Sequence, residues 1–156
     1  PKALYNATEA ATVVPDDFEV PFGKARIRRP GEDMSIITYG NTTHLCLNVA
    51  ERLQKEHDRN VEVIDIRSLI PLDKDTIFES VKKTSKVLIV HEDKVFSGFG
   101  AEIASIIGSE LFRYLDAPIQ RVGSIFTPVG FHPVLEKAIL PDEEKIYKAA
   151  KELLDY

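Results

Sequence analysis

Short apolar runs alternate with longer amphipathic stretches along most of this chain, and this alternation constrains the fold more than any other feature. Four runs rich in Val, Ile or Leu follow residue 30, and apolar residues in the stretches after them recur every three to four positions. Leu45, Val49 and Leu53, for example, form one stripe on a predicted helix. Near-continuous apolar strands joined by helices are typical of a parallel sheet covered on both faces. The sequence therefore predicts an α/β fold of three layers, with a mostly parallel sheet between two layers of helices.

The boundaries of these elements follow from the same pattern. The predicted strands are residues 34–39, 61–66, 87–90 and 118–123, and the predicted helices are 42–57, a segment that opens at 71–73, 99–111, and 141 to nearly 156. Right-handed connections place the loops after residues 39, 66 and 90 at one edge of the sheet, where open α/β sheets bind ligands. Functional residues are therefore expected in these loops.

The first 30 residues differ from the rest. They contain Pro1, Pro15, Pro21 and Pro30 and sustain no apolar period. Proline fixes φ and lacks a backbone donor, so residues 1–30 are predicted to form an extended arm outside the core. Residues 31–156 then form the α/β domain. Because the chain opens on proline with no initiator Met, we expect a processed chain or a fragment whose arm leads from an upstream domain.

Charge and cysteine content exclude several classes of protein. The chain has 20 basic and 25 acidic residues and a net charge of −5, which argues against a nucleic-acid partner. No apolar run approaches the roughly 18 residues of a membrane span, so we expect no membrane partner. Cys46 is the single cysteine, which excludes a disulfide scaffold, and its place on an apolar helical stripe indicates a core residue.

Two loops contain residues that resemble binding motifs. Residues 39–43 (YGNTT) loosely resemble the phosphate loop of flavodoxins, which leaves a free-standing FMN electron carrier as an alternative function. The simpler interpretation is that Asn41 or Thr42 caps the following helix. The glycines at 98 and 100 lack the third glycine of a dinucleotide fingerprint because Ile103 stands in its place, so a tight turn into a helix is predicted there.

The segment that follows the third predicted strand combines a histidine, a carboxylate and two aromatics. His91 and Glu92 are neighbours in extended chain, so their side chains point to opposite faces and do not converge on one atom. We therefore predict no catalytic and no metal site here. Phe96 and Phe99 flank a Ser-Gly pair, and aromatics beside glycine suit a docking surface. His91, Glu92, Phe96 and Phe99 are predicted to form a subunit interface.

An ordered series of motifs resembles one known family. The motifs are residues 23–40 (GKARIRRPGEDMSIITYG), 60–93 (NVEVIDIRSLIPLDKDTIFESVKKTSKVLIVHED), 97–104 (SGFGAEIA), 115–123 (LDAPIQRVG) and 135–141 (LEKAILP). They resemble the carboxy-terminal third of the β chain of the thiamine-diphosphate-dependent decarboxylating component of 2-oxo acid dehydrogenase complexes, specific for pyruvate or branched-chain acids. One departure is clear. Residues 123–128 read GSIFTP where the family usually has Gly-x-Asp-Thr-Pro.

The resemblance implies a domain like the carboxy-terminal domain of transketolase, which organises the subunit dimer and supports the active site from outside. Thiamine diphosphate and Mg²⁺ would belong to the intact enzyme, because the Gly-Asp-Gly motif that holds them is absent from this sequence. The isolated fragment is therefore expected to bind neither and to be inactive, and no catalytic or cofactor-binding residue is assigned to it.

The implied partners are an α subunit or α region, a second β chain and a lipoyl acyltransferase. The resemblance places the acyltransferase contact at Asp116 and Tyr156. It also implies a cytoplasmic location in a bacterium or the mitochondrial matrix in a eukaryote. A third possibility is the equivalent domain of a transketolase or deoxyxylulose-phosphate synthase.

Overall fold

A five-stranded sheet organises residues 15–156, the part of the chain that this computed structural model describes. The strand order is β1-β3-β2-β4-β5; β2, β3, β4 and β5 run parallel, while β1 is antiparallel to β3 at one edge. This confirms the predicted mostly parallel sheet. The strands are β1 (Arg26–Arg29), β2 (Met34–Thr38), β3 (Val61–Asp65), β4 (Val87–Lys94) and β5 (Gln120–Ser124), and the helices are α1 (Thr42–His57), α2 (Lys74–Thr84), α3 (Phe99–Leu111), α4 (Pro133–Ile139) and α5 (Glu143–Leu154).

Each face of the sheet has its own apolar core. On one face, α1 and α5 pack through residues such as Leu53 and Ile146 against β2, β3 and β4. On the other face, α2 and α3 pack through residues such as Ile77 and Ile107 against the same three strands. Because consecutive residues of a strand point to opposite faces, Ile36 serves the first core and Ile37 the second. The predicted three-layer architecture is therefore confirmed.

Three elements differ from the sequence prediction. The predicted arm contains β1, an exposed edge strand that hydrogen-bonds to β3. The third predicted strand continues past Val90 to Lys94, and α4 forms in a stretch for which no helix was predicted. In contrast, α1 spans residues 42–57 as predicted.

The strand order makes the two ends of the sheet distinct. We call the end where the parallel strands finish the carboxyl edge, and the end where they begin the amino edge. Since β2 lies between β3 and β4, the connections from β2 and β4 leave in different directions at the carboxyl edge. Open α/β sheets place ligand sites at such a point. The loop after β2 and the end of β4 meet there, and both contain candidate residues.

Candidate functional site

His91 lies inside the protein, not on a surface loop. The pairing between β4 and β5 shifts between Val90 and Lys94, which inserts a bulge into β4. His91 directly follows Val90, the last residue in regular register, and continues the alternation of β4, so it lies on the same face as Ile89, and its side chain has no exposed surface. Because its side chain is buried in the described domain, His91 would support the predicted subunit interface from behind, and the interface itself stays a prediction.

The hydrogen bonds of His91 define its tautomer. Its Nδ1 lies 3.1 Å from the backbone oxygen of Asp93, and because a carbonyl can only accept, Nδ1 must carry the proton. Its Nε2 is buried and has no hydrogen-bond partner. The ring lies parallel to the ring of Tyr39, with centroids 6.1 Å apart. His91 is thus a neutral ring packed between the ends of two strands.

Three glycines enclose this histidine. A Cβ at Gly100 would overlap the imidazole at Nε2, and a Cβ at Gly123 would lie 3.0 Å from Cε1. A Cβ at Gly98 would collide with the backbone oxygen of Lys94 and also approach His91. The pair of glycines at 98 and 100 therefore makes room for the β4 bulge and His91.

Burial shifts both rings toward their neutral forms. The pKa of His91 is lowered from its ordinary value by desolvation, which outweighs the opposing influence of the Asp93 carboxylate. The pKa of the Tyr39 phenol is raised by burial and by the nearby charges of Asp93 and Glu92. A general acid or base must reach the proton it transfers, and the buried Nε2 of His91 offers no such path. The arrangement supports packing and not proton transfer.

The loop between β2 and α1 is closed by polar contacts within the protein. Asn41 occupies the N-cap position of α1 but its side chain makes no capping bond, so the predicted cap is wrong for this side chain. Its Nδ2 instead donates to Glu92 Oε1 over 3.3 Å. The Thr42 hydroxyl donates to the backbone oxygen of Tyr39. A carboxylate beside the start of α1 disfavours a phosphate there, which argues against the flavodoxin alternative.

The two aromatic residues of the predicted interface have different surroundings. Phe99 is half-buried and packs edge-on against Tyr39, with ring centroids 6.5 Å apart. Phe96 is exposed, and its ring centroid lies 4.7 Å from that of Phe126. Phe126 is part of the turn that departs from the family pattern. Phe126 was not among the predicted interface residues, although the signal for it, an aromatic in place of the usual polar turn, is present in the sequence.

Asp116 and Tyr156 line one groove, although they are 40 positions apart in the sequence. The groove has a volume of about 710 Å³ and runs along α3, with small residues such as Ala104 and Gly108 in its wall. Its remaining lining residues are Ala101, Ser105, Phe112, Leu115, Ala117, Pro118, Ile119 and Arg121. The groove therefore combines an apolar wall with one acidic residue, Asp116, and one basic residue, Arg121, whose Nη1 donates to the backbone oxygen of Val95.

The two residues just before β4 anchor the segments that contain the predicted partner residues. The backbone N–H of Asp116 donates to the backbone oxygen of Ser85 over 2.9 Å. Next to it, Lys86 Nζ donates to the backbone oxygen of Leu154 over 2.9 Å, near the end of the chain. These contacts place Asp116 and the carboxy-terminal residues together at the amino edge, far along the sheet from His91.

Other candidate chemistry is limited among the described residues. Within residues 15–156, no group of three or more His, Cys, Asp or Glu side chains is placed to hold a metal ion. Burial raises the pKa of Cys46 to about 12, so its thiol stays protonated. In the same part of the chain, no helix is long and apolar enough to cross a bilayer.

Comparisons with known proteins agree with the resemblance seen in the sequence. A family model described as the transketolase C-terminal domain matches residues 23–146. The β subunit of the pyruvate dehydrogenase E1 component from Rickettsia felis is 45% identical over 144 residues, covering 92% of this chain and 44% of that protein. The 2-oxoisovalerate dehydrogenase β subunit from Bacillus subtilis is 39% identical over 142 residues, covering 90% of this chain and 43% of that protein.

The comparison with solved structures supports the fold. A split-gene transketolase, described as an inactive β4 tetramer, superposes with a TM-score of 0.78 at 24% identity, over 93% of this chain and 46% of that chain. This confirms the predicted transketolase C-terminal-like architecture. The chain spans less than half the length of both curated relatives.

Proposed function

This chain belongs to the transketolase C-terminal domain family, and from that premise we propose that it is the carboxy-terminal domain of a β subunit in the decarboxylating component of a 2-oxo acid dehydrogenase complex. The observation that supports this most is the pattern of coverage. Two relatives named for 2-oxo acid dehydrogenases each match 90% or more of this chain while leaving more than half of their own length unmatched. This pattern is expected if the chain corresponds to one domain of a larger enzyme.

The complete enzyme would decarboxylate a 2-oxo acid on thiamine diphosphate and transfer the acyl group to the lipoyl group of an acyltransferase. The described residues do not fit the cofactor, because they provide no cluster of metal ligands and the sequence contains no Gly-Asp-Gly motif. We therefore assign thiamine diphosphate and Mg²⁺ to parts of the enzyme outside this chain, and no catalytic step to its residues. One relative is named for pyruvate and the other for 2-oxoisovalerate, so the proposed substrate class comprises both acids.

We propose that the groove beside α3 receives the acyltransferase partner. Asp116 is exposed at its rim, and the α5 helix ends close by, where the helix dipole is negative. This end of the groove therefore favours a basic side chain whose aliphatic portion lies along the apolar wall. The partner chemistry that fits is a small domain with Lys or Arg beside apolar residues.

The carboxyl edge is proposed to contact the rest of the enzyme, which includes an α subunit or region and a second β chain. Glu92, Phe96 and Phe99 have surface available for this contact. His91 supports Phe99 from behind through the Tyr39 ring, against which both rings pack. Such an enzyme would work in the cytoplasm of a bacterium or the matrix of a mitochondrion.

The decisive experiment assays the full-length β subunit together with its α partner. With thiamine diphosphate and Mg²⁺ present, we expect decarboxylation of pyruvate or 2-oxoisovalerate and reductive acylation of a lipoyl domain. Ketol transfer between sugar phosphates without 2-oxo acid decarboxylation would contradict the proposal and favour the transketolase alternative. Visible absorption from a bound flavin would instead favour the electron-carrier alternative.

A further inference from the structure

The groove beside α3 runs along almost the whole of that helix. Ala101, in the first turn of α3, lines one end, and Phe112, the residue after its last, lines the other. At 1.5 Å per residue, the distance between these positions along the helix axis is about 16 Å. A straight α-helix of about three turns has the same length. The groove is therefore long enough for one short helix.

The depth of the groove also suits a helix. Where the groove follows α3, its wall consists of small residues, namely Ala101, Ala104, Ser105 and Gly108. A Cβ added at Gly108 would meet no atom within 4 Å, so the backbone there faces open space. Small residues allow two helices to approach closely. A helix of this length and a diameter of about 10 Å has a volume of about 1,300 Å³, so a groove of about 710 Å³ can take roughly half of it.

The end of the groove near the start of α3 is positive. Arg121 lines it, and its Nη1 donates over 2.8 Å to the backbone oxygen of Val95, in the loop that precedes α3. A guanidinium has five N–H groups, so this bond leaves others that can donate to a partner. The amino end of α3 adds a positive partial charge. The two carboxylates of α3, Glu102 and Glu110, do not line the groove.

The opposite end of the groove is negative. Asp116 is exposed there, and it comes shortly after the carboxyl end of α3, whose partial charge is negative. The helix α5 also ends here, at Leu154. Lys86 donates to the backbone oxygen of Leu154 and offsets part of the dipole of α5, but Lys86 does not line the groove. The charges of the groove therefore change sign along the axis of α3.

We infer that the groove binds one α-helix of the acyltransferase, and that this helix runs antiparallel to α3. The inference rests on the proposed function for the identity of the partner, and it adds which kind of element binds and in which direction. The positive amino end of the bound helix lies at Asp116, and its negative carboxyl end lies at Arg121, where free carbonyl groups accept from the guanidinium. Apolar residues that recur every three to four positions face the small residues of α3.

Two other bound elements fit the groove less well. A second copy of α3 presents the same small residues, such as Ala104 and Gly108, and so lacks the side chains that would fill the space. An extended segment would cover about 16 Å with about five residues. It would also lack the axial dipole that matches the two charged ends, because strand dipoles are small. Length, volume and charge thus favour a helix from a different protein.

Photochemical crosslinking in the assembled enzyme tests the element and its direction. The full-length β subunit would carry p-benzoylphenylalanine in place of Glu102, beside the positive end, or of Phe112, at the negative end. The matched control carries it in place of Glu110, which is exposed on α3 outside the groove. We expect positions 102 and 112 to crosslink to one acyltransferase helix at sites about ten residues apart, with the site reached from 112 nearer the amino terminus. Position 110 should not crosslink to that helix.

The possible results separate this inference from the proposed function. Crosslinks to the acyltransferase at sites about five residues apart would indicate an extended segment, and the reverse order would indicate a parallel helix. Either result would overturn this inference alone. Crosslinks only to a second β chain would contradict both the inference and the assignment of the groove to the acyltransferase. The expected crosslinks in an enzyme that does not decarboxylate a 2-oxo acid would contradict the proposed function alone.

A second measurement isolates the charge of Arg121. Arg121→Gln should weaken acyltransferase binding severalfold at low salt, and by less at high salt, because salt screens the interaction with the negative end of the helix. Arg113→Gln, at an exposed position outside the groove, is the matched control and should bind as the wild type does. A loss of affinity that does not change with salt would show that Arg121 acts only by holding Val95, and would overturn its assigned role.

Discussion

Gly100, in the first turn of α3, packs directly against Nε2 of His91 at the end of β4, and the space between them does not accommodate a methyl group. This contact joins a helix to the bulge of its preceding strand. Because His91 also stacks on Tyr39 after β2, one glycine helps to set the relative positions of three elements. The contact therefore makes glycine at position 100, with no Cβ, a structural requirement of the carboxyl edge.

Gly100→Ala is expected to lower the free energy of unfolding by about 1–3 kcal/mol, the usual cost of inserting a methyl group into a packed site. The control is Gly108→Ala in the same helix, where an added Cβ would meet no atom within 4 Å. That variant should gain up to about 1 kcal/mol because alanine is the better helix former. Urea unfolding of both variants measures the difference, and equal effects would contradict the packing argument.

His91 should make the stability of the protein depend on pH. Burial lowers its folded pKa below the ordinary value of 6.5, so the unfolded chain binds the proton more tightly. The stabilising contribution is fully present above pH 6.5 and is lost as the pH falls through the folded pKa. The charged groups that face the ring are Asp93 on the same strand and Arg121 on β5; they act in opposite directions.

A His91→Gln variant removes this titration and keeps a polar side chain. Wild-type protein should lose more stability than this variant between pH 7 and pH 5, as measured by urea unfolding across that range. The other three histidines are common to both proteins, so their contributions cancel. An imidazole resonance of His91 that titrates at or above 6.5 would show that the ring is not held neutral by burial.

The third prediction concerns the buried carboxylate of Glu62 and the lysine that compensates its charge. Glu62 on β3 is 1% exposed, accepts from Ser80 Oγ over 2.5 Å and lies 2.5 Å from Lys83 Nζ. Lys83→Met removes the cation and leaves the carboxylate less well compensated, so we expect a loss of about 1–3 kcal/mol. Lys82→Met, at the exposed neighbouring position, should change stability by less than about 0.5 kcal/mol. Chemical denaturation of the two variants measures the difference in stability. Indistinguishable midpoints would mean that Lys83 does not compensate the charge of Glu62.

The sequence predicted the parts of the fold that follow from local periodicity. The stripe of Leu45, Val49 and Leu53 was sufficient to identify α1 as a helix, because a 16-residue helix repeats its apolar face several times. The continuation of β4 to Lys94 was not predictable, since residues 91–94 (HEDK) are polar and are held by pairing with β5. Tertiary hydrogen bonds, not local preference, extend that strand.

The candidate sites likewise separate into features that the local sequence predicts and features that depend on tertiary contacts. Sequence reasoning singled out His91, and strand alternation places it on the face of Ile89, but its enclosure by Gly100 and Tyr39 arises only from contacts between distant segments. Similarly, nothing local indicates that Asn41 donates to Glu92 in place of capping its own helix. The meeting of Asp116 with Tyr156 in one groove depends on the separate anchoring of both segments at Ser85 and Lys86. A periodic pattern in the sequence carries no information about contacts between distant segments.

The groove yields the last prediction. In the assembled enzyme, Asp116→Lys should weaken binding of the acyltransferase at low salt by at least about tenfold, or about 1.4 kcal/mol. Charge complementarity accelerates association and makes it sensitive to salt, so the variant should also show a smaller salt dependence. The matched control is Glu110→Lys, which makes the same charge change on an exposed α3 position that does not line the groove. Titration calorimetry at two salt concentrations measures both effects, while decarboxylation of the free 2-oxo acid should persist because Asp116 lies at the amino edge. Unchanged low-salt affinity in both Asp116→Lys and a variant lacking Tyr156 would place the acyltransferase on another surface.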